Sequence, residues 1–305
     1  MSQAASESGT PDATGDSHPM TAAELTEEVV ARFSDAADPR LRQIMQSLVR
    51  HLHAFAADVQ LTQAEWLAGI QFLTATGHKS DDKRQEFILL SDTLGLSTLV
   101  DLIEHEVDGS STESTVLGPF YVPGSPERAL GASIAERPSG EPAWVAGRVL
   151  DTDGRPIAGA EVDVWQNGDD MLYAVQDPEA PQTNLRGLFR TTDDGRYAFL
   201  GVRPTDYPIP DDGPVGEMLS ASGRHPWRAA HLHFIVRAPG FRPVTTHVFD
   251  DGSRFLESDT VFGVKPSLVR RFQRHEPGAA DRPEDVRPDQ VWYSLTFDFV
   301  LRRQP

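Results

Sequence analysis

The chain has 305 residues, of which 39% are hydrophobic and 24% are charged, a balance typical of a globular protein. Its 28 Lys and Arg against 46 Asp and Glu give a formal net charge of −18, which argues against binding to nucleic acid or to an anionic membrane surface. The absence of cysteine excludes disulfides and thiolate metal sites, so a bound metal needs histidine, carboxylate or phenolate ligands. Apolar runs fall well short of the ~20 residues of a membrane span, and we expect a cytoplasmic protein.

Residues 1–20 are rich in Ser, Ala, Gly and Asp, without the basic start and apolar stretch of a signal peptide, and they predict a disordered tail.

Residues 21–108 predict a helical domain. Capping-box pairs at positions 21/24 and 62/65 and the Asp38-Pro39 dipeptide mark helix starts, and Gly77 is expected to end a helix. An apolar stripe with helical spacing consists of Leu41, Ile44, Leu48, Leu52 and Phe55, and it continues at Trp66, Ile70 and Leu73.

After residue 108 the apolar residues alternate, and Gly and Pro become frequent. Residues 109–305 therefore predict an antiparallel β-sandwich, so that the fold class is α+β with helices preceding strands. The segments Leu188–Thr192 and Arg196–Val202, joined by Asp193-Asp-Gly195, predict a hairpin.

A His-x-His pair, His231 and His233, lies in one of these predicted strands. The two-residue period of a strand places both imidazoles on one face, where they could chelate one metal ion. The same pair would also suit a solvated strand face. Arg228, three residues earlier, could stabilise negative charge on a metal-bound substrate or lie on the surface. Among the five tyrosines, Tyr207 lies in a proline-rich loop and Tyr173 follows a turn, although any tyrosine can serve as a half-buried aromatic.

Several motifs, in order along the chain, resemble the intradiol ring-cleavage dioxygenases. They are Leu117-Gly-Pro-Phe-Tyr121, Asp163-Val-Trp-Gln166, Tyr207-Pro-Ile-Pro210, Gly223-Arg-His225 and Arg228-Ala-Ala-His-Leu-His-Phe234. The segments Asp81–Gly95 and Ser258–Lys265 are similar to the hydroxyquinol-cleaving branch of that family.

The resemblance implies one ferric ion per subunit, held by Tyr173, Tyr207, His231 and His233. Ferric iron is a hard acid that favours anionic oxygen, and a metal ion can displace the phenolic proton at neutral pH. The resemblance also makes Arg228 a catalytic residue that stabilises charge on the substrate ring. It assigns Tyr197 to a structural role and Tyr121 to the pocket wall or the core.

The resemblance further implies a substrate pocket. Its expected members are Leu89, Asp92, Val116, Leu117, Gly118, Pro119, Phe120, Ile209, Pro210, Arg228 and Val261. Asp92 would accept a hydrogen bond from a third substrate hydroxyl, or it could be an ordinary surface carboxylate. His247 departs from the glutamine usual in catechol-cleaving members.

The expected function is cleavage of hydroxyquinol (benzene-1,2,4-triol) with O2 to 3-hydroxy-cis,cis-muconate, the enol form of maleylacetate. The alternatives are a catechol or chlorocatechol 1,2-dioxygenase and a non-enzymatic β-sandwich in which His231 and His233 hold a structural zinc ion. The resemblance also implies a homodimer formed through the N-terminal helices, with a phospholipid at the interface. The apolar stripes of those helices would fit an internal core equally well.

Overall fold

A computed structural model of the protein describes residues 19–81, 84–105, 109–137 and 140–304. The predicted tail lies outside the described residues except for its last two positions, and so does the predicted domain boundary at residue 108. The chain divides into two compact units, Met1–Phe72 and Leu73–Pro305. None of the helices in the described ranges combines the length and the hydropathy needed to cross a membrane.

The first unit is helical. It contains α1 (Ala22–Arg32), α2 (Pro39–Asp58) and most of α3 (Gln63–Lys79). The predicted caps are confirmed. Thr21 and Glu24 form a capping box, Thr62 and Glu65 exchange the same two hydrogen bonds, and Asp38 caps α2 by accepting a bond from the Arg40 amide.

The apolar stripes of α2 and α3 are exposed in the single chain. Leu52 and Phe55 are each 55% exposed, and Trp66 is 52% exposed. The sequence left open whether these stripes form a core or an interface, and within one chain they do not form a core.

Among the described residues of the second unit are three short α-helices: α4 (Glu86–Thr93), α5 (Leu96–Glu104) and α6 (Pro214–Ala221). The expectation that Gly77 ends a helix is wrong, since α3 continues to Lys79. The ammonium group of this last helical residue forms an ion pair with Asp212. Glu86 is fully buried and accepts hydrogen bonds from Arg84 and from the amide of Val215 at the start of α6.

The boundary between the two compact units thus falls between residues 72 and 73, whereas the hydrophobic pattern of the sequence changes from helical to alternating near residue 108. The reason is that α4 and α5 contact residues that follow them in the chain. Besides the contact between α4 and α6, the buried Lys265 ammonium binds Asp101 of α5 at 3.0 Å and the Ser114 carbonyl at 2.7 Å.

In the described ranges, twelve strands form two five-stranded sheets and a two-stranded ladder. The strands are β1 (Pro142–Asp151), β2 (Glu161–Trp165), β3 (Arg186–Arg190), β4 (Arg196–Val202), β5 (Tyr207–Pro208), β6 (Trp227–Arg228), β7 (His231–Arg237), β8 (Val244–Asp250), β9 (Val269–Arg270), β10 (Gln273–His275), β11 (Trp292–Thr296) and β12 (Phe299–Leu301). One sheet has the order β10-β11-β1-β12, with β4 also paired to β1, and the other has the order β3-β2-β7-β8-β9. The α+β class is confirmed, but the sheets are mixed rather than antiparallel, because β1 pairs in parallel with β11 and β12, and β8 pairs in parallel with β9.

The predicted hairpin between residues 188 and 202 is wrong. Strand β3 pairs with β2, whereas β4 pairs with β1 in the other sheet. The turn between them is tight, but each end is held by a different sheet. Thr191 exchanges hydrogen bonds with Ala160, and the carbonyl of Gly195 accepts one from Val149 of β1.

Both sheets contribute to one apolar core. Val145 and Val149 of β1 and Phe199 of β4 belong to the same buried cluster as Leu232 and Phe234 of β7. Since side chains alternate along a strand, this packing leaves His231 and His233 on the opposite face of β7. That face is covered by a second cluster, which contains Trp165, Tyr173, Tyr207 and Ile235, with Phe120 and Tyr121 packed against it.

Candidate metal centre

The two histidines of β7 lie in the interior of the protein and face each other. His231 is 0% exposed and His233 is 1% exposed, and their Nε2 atoms are 3.0 Å apart. Burial, followed by the positive charge of Arg228, lowers the pKa of His231 well below 6.5, and burial and His231 do the same to the pKa of His233. Both imidazoles are therefore neutral at pH 7, the state in which histidine binds a metal.

A backbone contact orients His231. Its Nδ1 lies 2.6 Å from the carbonyl oxygen of Ala229, which can only accept, so Nδ1 carries the proton and Nε2 offers its lone pair. A hydrogen bond from the non-coordinating nitrogen is the usual way of fixing a metal-binding histidine. His233 is held instead by stacking, with the Trp165 ring 4.7 Å away at 14° between the planes.

Tyr173 and Tyr207 flank the two histidines. The Tyr173 hydroxyl lies 2.9 Å from Nε2 of His233, and the two tyrosine rings meet edge to face with centroids 5.3 Å apart. Burial, and then the neighbouring Tyr207, raise the pKa of Tyr173 well above 10. Without a cation Tyr173 is thus a neutral phenol, and only a bound metal ion would stabilise its phenolate.

Arg228 reaches the centre from the two-residue ladder of β5 and β6, in which it is the direct partner of Tyr207. Its Nη1 lies 3.2 Å from the Tyr207 hydroxyl and 3.3 Å from Nε2 of His231. Burial alone would lower the pKa of Arg228, but the carboxylate of Asp259 raises it above the ordinary value, so the guanidinium is charged.

A third histidine, His247, completes a group that could hold a metal ion. The ligand atoms of His231, His233 and His247 all lie within 4.8 Å of one another. Burial and the other two histidines also lower the pKa of His247 well below 6.5. The sequence marked His247 only as a departure from glutamine, because its place opposite His233 depends on the pairing of β7 with β8.

The residues present fit a metal ion. Two neutral imidazoles and two phenols converge on one buried point, and several polar atoms there have no hydrogen-bond partner in the described part of the chain. These atoms are Nη2 of Arg228, Nδ1 of His233, both ring nitrogens of His247 and Nε1 of Trp165. Buried polar atoms are rarely left unpaired, so they are consistent with a centre that functions with a bound ion and substrate.

Besides Arg228, two of the expected pocket residues, Phe120 and Gly118, lie against the residues of this centre. Phe120 stacks on Tyr173 with ring centroids 4.8 Å apart, and a Cβ added at Gly118 would lie 3.2 Å from Cε1 of His233. Asp92 is 3% exposed. Its burial raises its pKa, which a hydrogen bond with Ser97 and the positive charge of Arg228 lower in part. Val261 is buried, and its carbonyl accepts a hydrogen bond from Thr98.

The backbone of Val116 faces His247. Leu89 and Ile209 are buried, whereas Leu117 is 42% exposed. For these residues and for all the other expected pocket residues, contact with a substrate stays a prediction.

Two side chains that the sequence did not single out also support the centre. Asp259 pairs with Arg228, and Trp165 stacks on His233. Tyr197, by contrast, lies in the core between the sheets, where its hydroxyl donates to the carbonyl of Phe297 at 2.8 Å.

Comparisons with known proteins agree with this architecture. Residues 116–303 match the family described as Dioxygenase, and residues 38–112 match the one described as Catechol dioxygenase N terminus. Hydroxyquinol 1,2-dioxygenase of Nocardioides simplex is 50% identical over 91% of this chain and 94% of its own length. For 6-chlorohydroxyquinol 1,2-dioxygenase of Cupriavidus pinatubonensis the values are 51%, 91% and 96%.

A solved structure shares the fold over nearly the whole chain. The hydroxyquinol 1,2-dioxygenase of Pseudomonas putida DLL-E4 superposes with a TM-score of 0.87 at 48% identity, covering 93% of this chain and 99% of that one. The family matches to both parts of the sequence and the match of the fold therefore point to the same family. The chain belongs to the intradiol ring-cleavage dioxygenases.

Proposed function

We propose that the protein is a Fe(III)-dependent hydroxyquinol 1,2-dioxygenase. The observation that carries this proposal is the convergence of Tyr173, Tyr207, His231 and His233 on one buried point beside a charged arginine. The similarity to enzymes that are named for hydroxyquinol, at about half the residues identical over most of the chain, supports the choice of substrate.

Each side chain at this point has a defined task. The two imidazoles supply neutral nitrogen donors, and the two phenols supply oxygens that become anionic on metal binding. Ferric iron bound by these four side chains would supply a hard Lewis acid for the diol oxygens and would make the ring reactive towards O2.

Arg228 stabilises the negative charge of the bound diolate, since its guanidinium already lies within 3.3 Å of the Tyr207 hydroxyl and of His231. Asp92 accepts a hydrogen bond from the third hydroxyl of hydroxyquinol, which would otherwise be buried without a partner. Phe120, Trp165 and the turn at Gly118 limit access of water to the centre.

The two sheets that share the apolar core are, in this proposal, the β-sandwich of the family, with the metal on its outer face. We further propose that the exposed stripes of α2 and α3 form a homodimer interface, which also offers an apolar site for the acyl chains of a phospholipid. The support is the exposure of these side chains, because a monomer rarely leaves so many large apolar residues in contact with water.

The function is tested by steady-state rates of the iron-loaded protein on hydroxyquinol, catechol and chlorocatechols side by side. The proposal expects the highest kcat/KM with hydroxyquinol; a higher value with catechol would replace it by the catechol alternative. The colour of the protein distinguishes the iron enzyme from the non-enzymatic alternative with a structural zinc ion. Phenolate bound to ferric iron absorbs visible light, whereas a structural zinc ion gives a colourless protein.

The dimer is tested by light scattering of the purified protein and of a Leu48→Glu variant. A dimeric mass that becomes monomeric in the variant supports the interface on α2, and a monomeric wild-type protein contradicts it. Native mass spectrometry of the same sample would detect a bound phospholipid as an added mass.

A further inference from the structure

His247 lies on the same face of the sheet as the two histidines of β7. In the register of β7 and β8 it is the direct partner of His233, and it is 0% exposed. Its ring centroid is 4.3 Å from that of His233 and 4.5 Å from that of His231. The pairing of two neighbouring strands thus brings together three imidazoles that are separated in the sequence.

Both ring nitrogens of His247 lack a hydrogen bond of ordinary geometry within the described structure. The backbone of Val116 faces the ring, and Phe249 lies against it with ring centroids 5.4 Å apart. A buried polar group without a partner is costly, so an imidazole in this position is expected to have a ligand. The side chain has no role in the proposed binding of ferric iron by Tyr173, Tyr207, His231 and His233.

The spacing of the three side chains suits a metal ion after a small movement of one ring. With metal–nitrogen bonds of about 2.0–2.1 Å, two nitrogens at a tetrahedral angle are about 3.4 Å apart. His231 and His233 already approach to 3.0 Å, and the ligand atoms of all three lie within 4.8 Å. His247 would need to approach by at most about 1.4 Å. The polar contact that a rotation of the ring would alter is the one with the Val116 backbone.

We propose that His247 is a third imidazole donor of this centre, so that His231, His233 and His247 bind a divalent transition-metal ion such as Co²⁺ or Zn²⁺. Neutral imidazole is a good ligand for these ions, whereas the phenolates favour the harder ferric ion. The centre then has two overlapping donor sets, which share His231 and His233. The inference deepens the proposed function and rests on the metal centre of that proposal, but it concerns metal binding alone.

Cobalt binding to the metal-free, full-length protein tests this proposal. Co²⁺ is titrated into the wild-type protein and into His247→Gln, and the affinity is read from the visible ligand-field bands and from calorimetry. We expect about 100-fold weaker binding in His247→Gln. The exposed His78→Gln serves as the matched control and should bind as the wild type does. Tyr173→Phe should change the affinity less than threefold, because a phenol is not needed for the divalent ion.

A second variant identifies the bond itself. Because the chain contains no cysteine, His247→Cys places its only thiol at this position. Bound Co²⁺ should then show a thiolate-to-cobalt charge-transfer band in the near ultraviolet. This signature does not depend on how well His247→Gln folds.

Either of two results with the variants would overturn the inference: wild-type affinity and spectrum in His247→Gln, or cobalt binding to His247→Cys without the charge-transfer band. A wild-type protein that binds no Co²⁺ but cleaves hydroxyquinol when loaded with iron would also overturn it, while the proposed function would stand. Conversely, cobalt binding that depends on His247, in a protein without ring-cleaving activity, would support the inference and contradict the proposed function.

Discussion

The guanidinium Nε of Arg228 lies 3.2 Å from Oδ1 of Asp259, and both side chains are almost completely buried. Asp259 also accepts hydrogen bonds from the amides of Ala229 and Gly263. A Cβ added at Gly263 would lie 2.9 Å from Nη2 of Arg228, so glycine lets the chain pass close to the guanidinium. Asp259 therefore balances the buried charge of Arg228 and fixes its direction towards Tyr207 and His231, which makes it a positioning residue.

Replacing Asp259 with Asn should impair both stability and turnover. The change leaves the charge of Arg228 buried without a counter-charge, and breaking such a pair usually costs about 3–5 kcal/mol. We expect the free energy of unfolding to fall by about 3 kcal/mol and kcat to fall at least tenfold, with a smaller change in KM. Urea unfolding and steady-state kinetics measure the two effects. Asp251→Asn, at an exposed position eight residues earlier, is the control; equal behaviour of the two variants would remove Asp259 from this role.

Arg228→Lys should lower kcat far more than it alters iron binding. Lysine keeps the positive charge but loses the planar fork that reaches Asp259 and Tyr207 together. Loss of one positioned donor commonly costs ~3 kcal/mol, or about a hundredfold in rate. Metal analysis and steady-state kinetics of the same preparation provide the comparison. An unchanged kcat would place Arg228 outside the chemistry.

Asp92→Asn should change the choice of substrate. The carboxyl group is 3% exposed, and in the proposed function it accepts the hydrogen bond from the third hydroxyl of hydroxyquinol. We expect kcat/KM for hydroxyquinol to fall by a factor that corresponds to the loss of roughly 1–3 kcal/mol of transition-state binding. Catechol, which lacks that hydroxyl, is the internal control, and its kcat/KM should fall less or rise. A ratio of the two values that does not move on mutation would contradict the assignment of Asp92.

Tyr173→Phe and Tyr207→Phe should each weaken or remove the visible absorption of the iron-loaded protein and most of its activity. Tyr197→Phe is a matched control, because this tyrosine is equally buried but donates to the Phe297 carbonyl in the core. It should keep iron and colour and lose only about 1 kcal/mol of stability, the usual value of one hydrogen bond. Full iron content and colour in both of the first two variants would refute the phenolate ligands.

The free energy of unfolding of the protein should depend measurably on pH in the acid range, because of the carboxylate of Asp212 in the loop before α6. Hydrogen bonds from Arg84 and Lys79 lower the pKa of Asp212 from 3.8 to about 2. Because the folded state favours the carboxylate, its stabilising contribution is present above pH 4 and is lost as the pH falls towards 2. Asp212 is 65% exposed, so screening by solvent limits the contribution to below about 1 kcal/mol.

Urea unfolding of the wild type and of Asp212→Asn at pH 5 and pH 3 measures this effect. The difference between the two proteins should shrink by roughly half at the lower pH. Asp211→Asn, at the neighbouring exposed position, controls for general loss of negative charge. A difference that is the same at both pH values would contradict the argument.

Features that depend on a few neighbouring residues could be predicted from the sequence. The cap at Asp38 and the two capping boxes are local hydrogen-bond patterns, and all three are present. The placement of His231 and His233 on one strand face follows from the two-residue period alone. The proposed ligands Tyr173, Tyr207, His231 and His233, together with Arg228, were predicted from a resemblance of motifs, and in the structure each lies within hydrogen-bond distance of at least one of the others.

Features that depend on long-range pairing could not be predicted in the same way. The turn at Asp193-Asp-Gly195 has the composition of a hairpin, but the sheet that each flanking strand joins is decided by contacts with β1 and β2. His247 and Asp259 are 14 and 28 residues beyond His233 and His231, and only the fold places them beside the centre. A carboxylate or histidine in a strand or loop carries no local signal of its distant partner.

The central claim, ring cleavage by both atoms of O2 between two adjacent hydroxyl-bearing carbons, is tested most directly with isotopic oxygen. The iron-loaded protein is supplied with hydroxyquinol under ¹⁸O2, and the product is analysed at once by mass spectrometry. The account predicts 3-hydroxy-cis,cis-muconate, or its keto form maleylacetate, with one ¹⁸O atom in each of the two new carboxylates. An unlabelled or singly labelled product at early times, or an aldehyde from cleavage beside the diol, would contradict it.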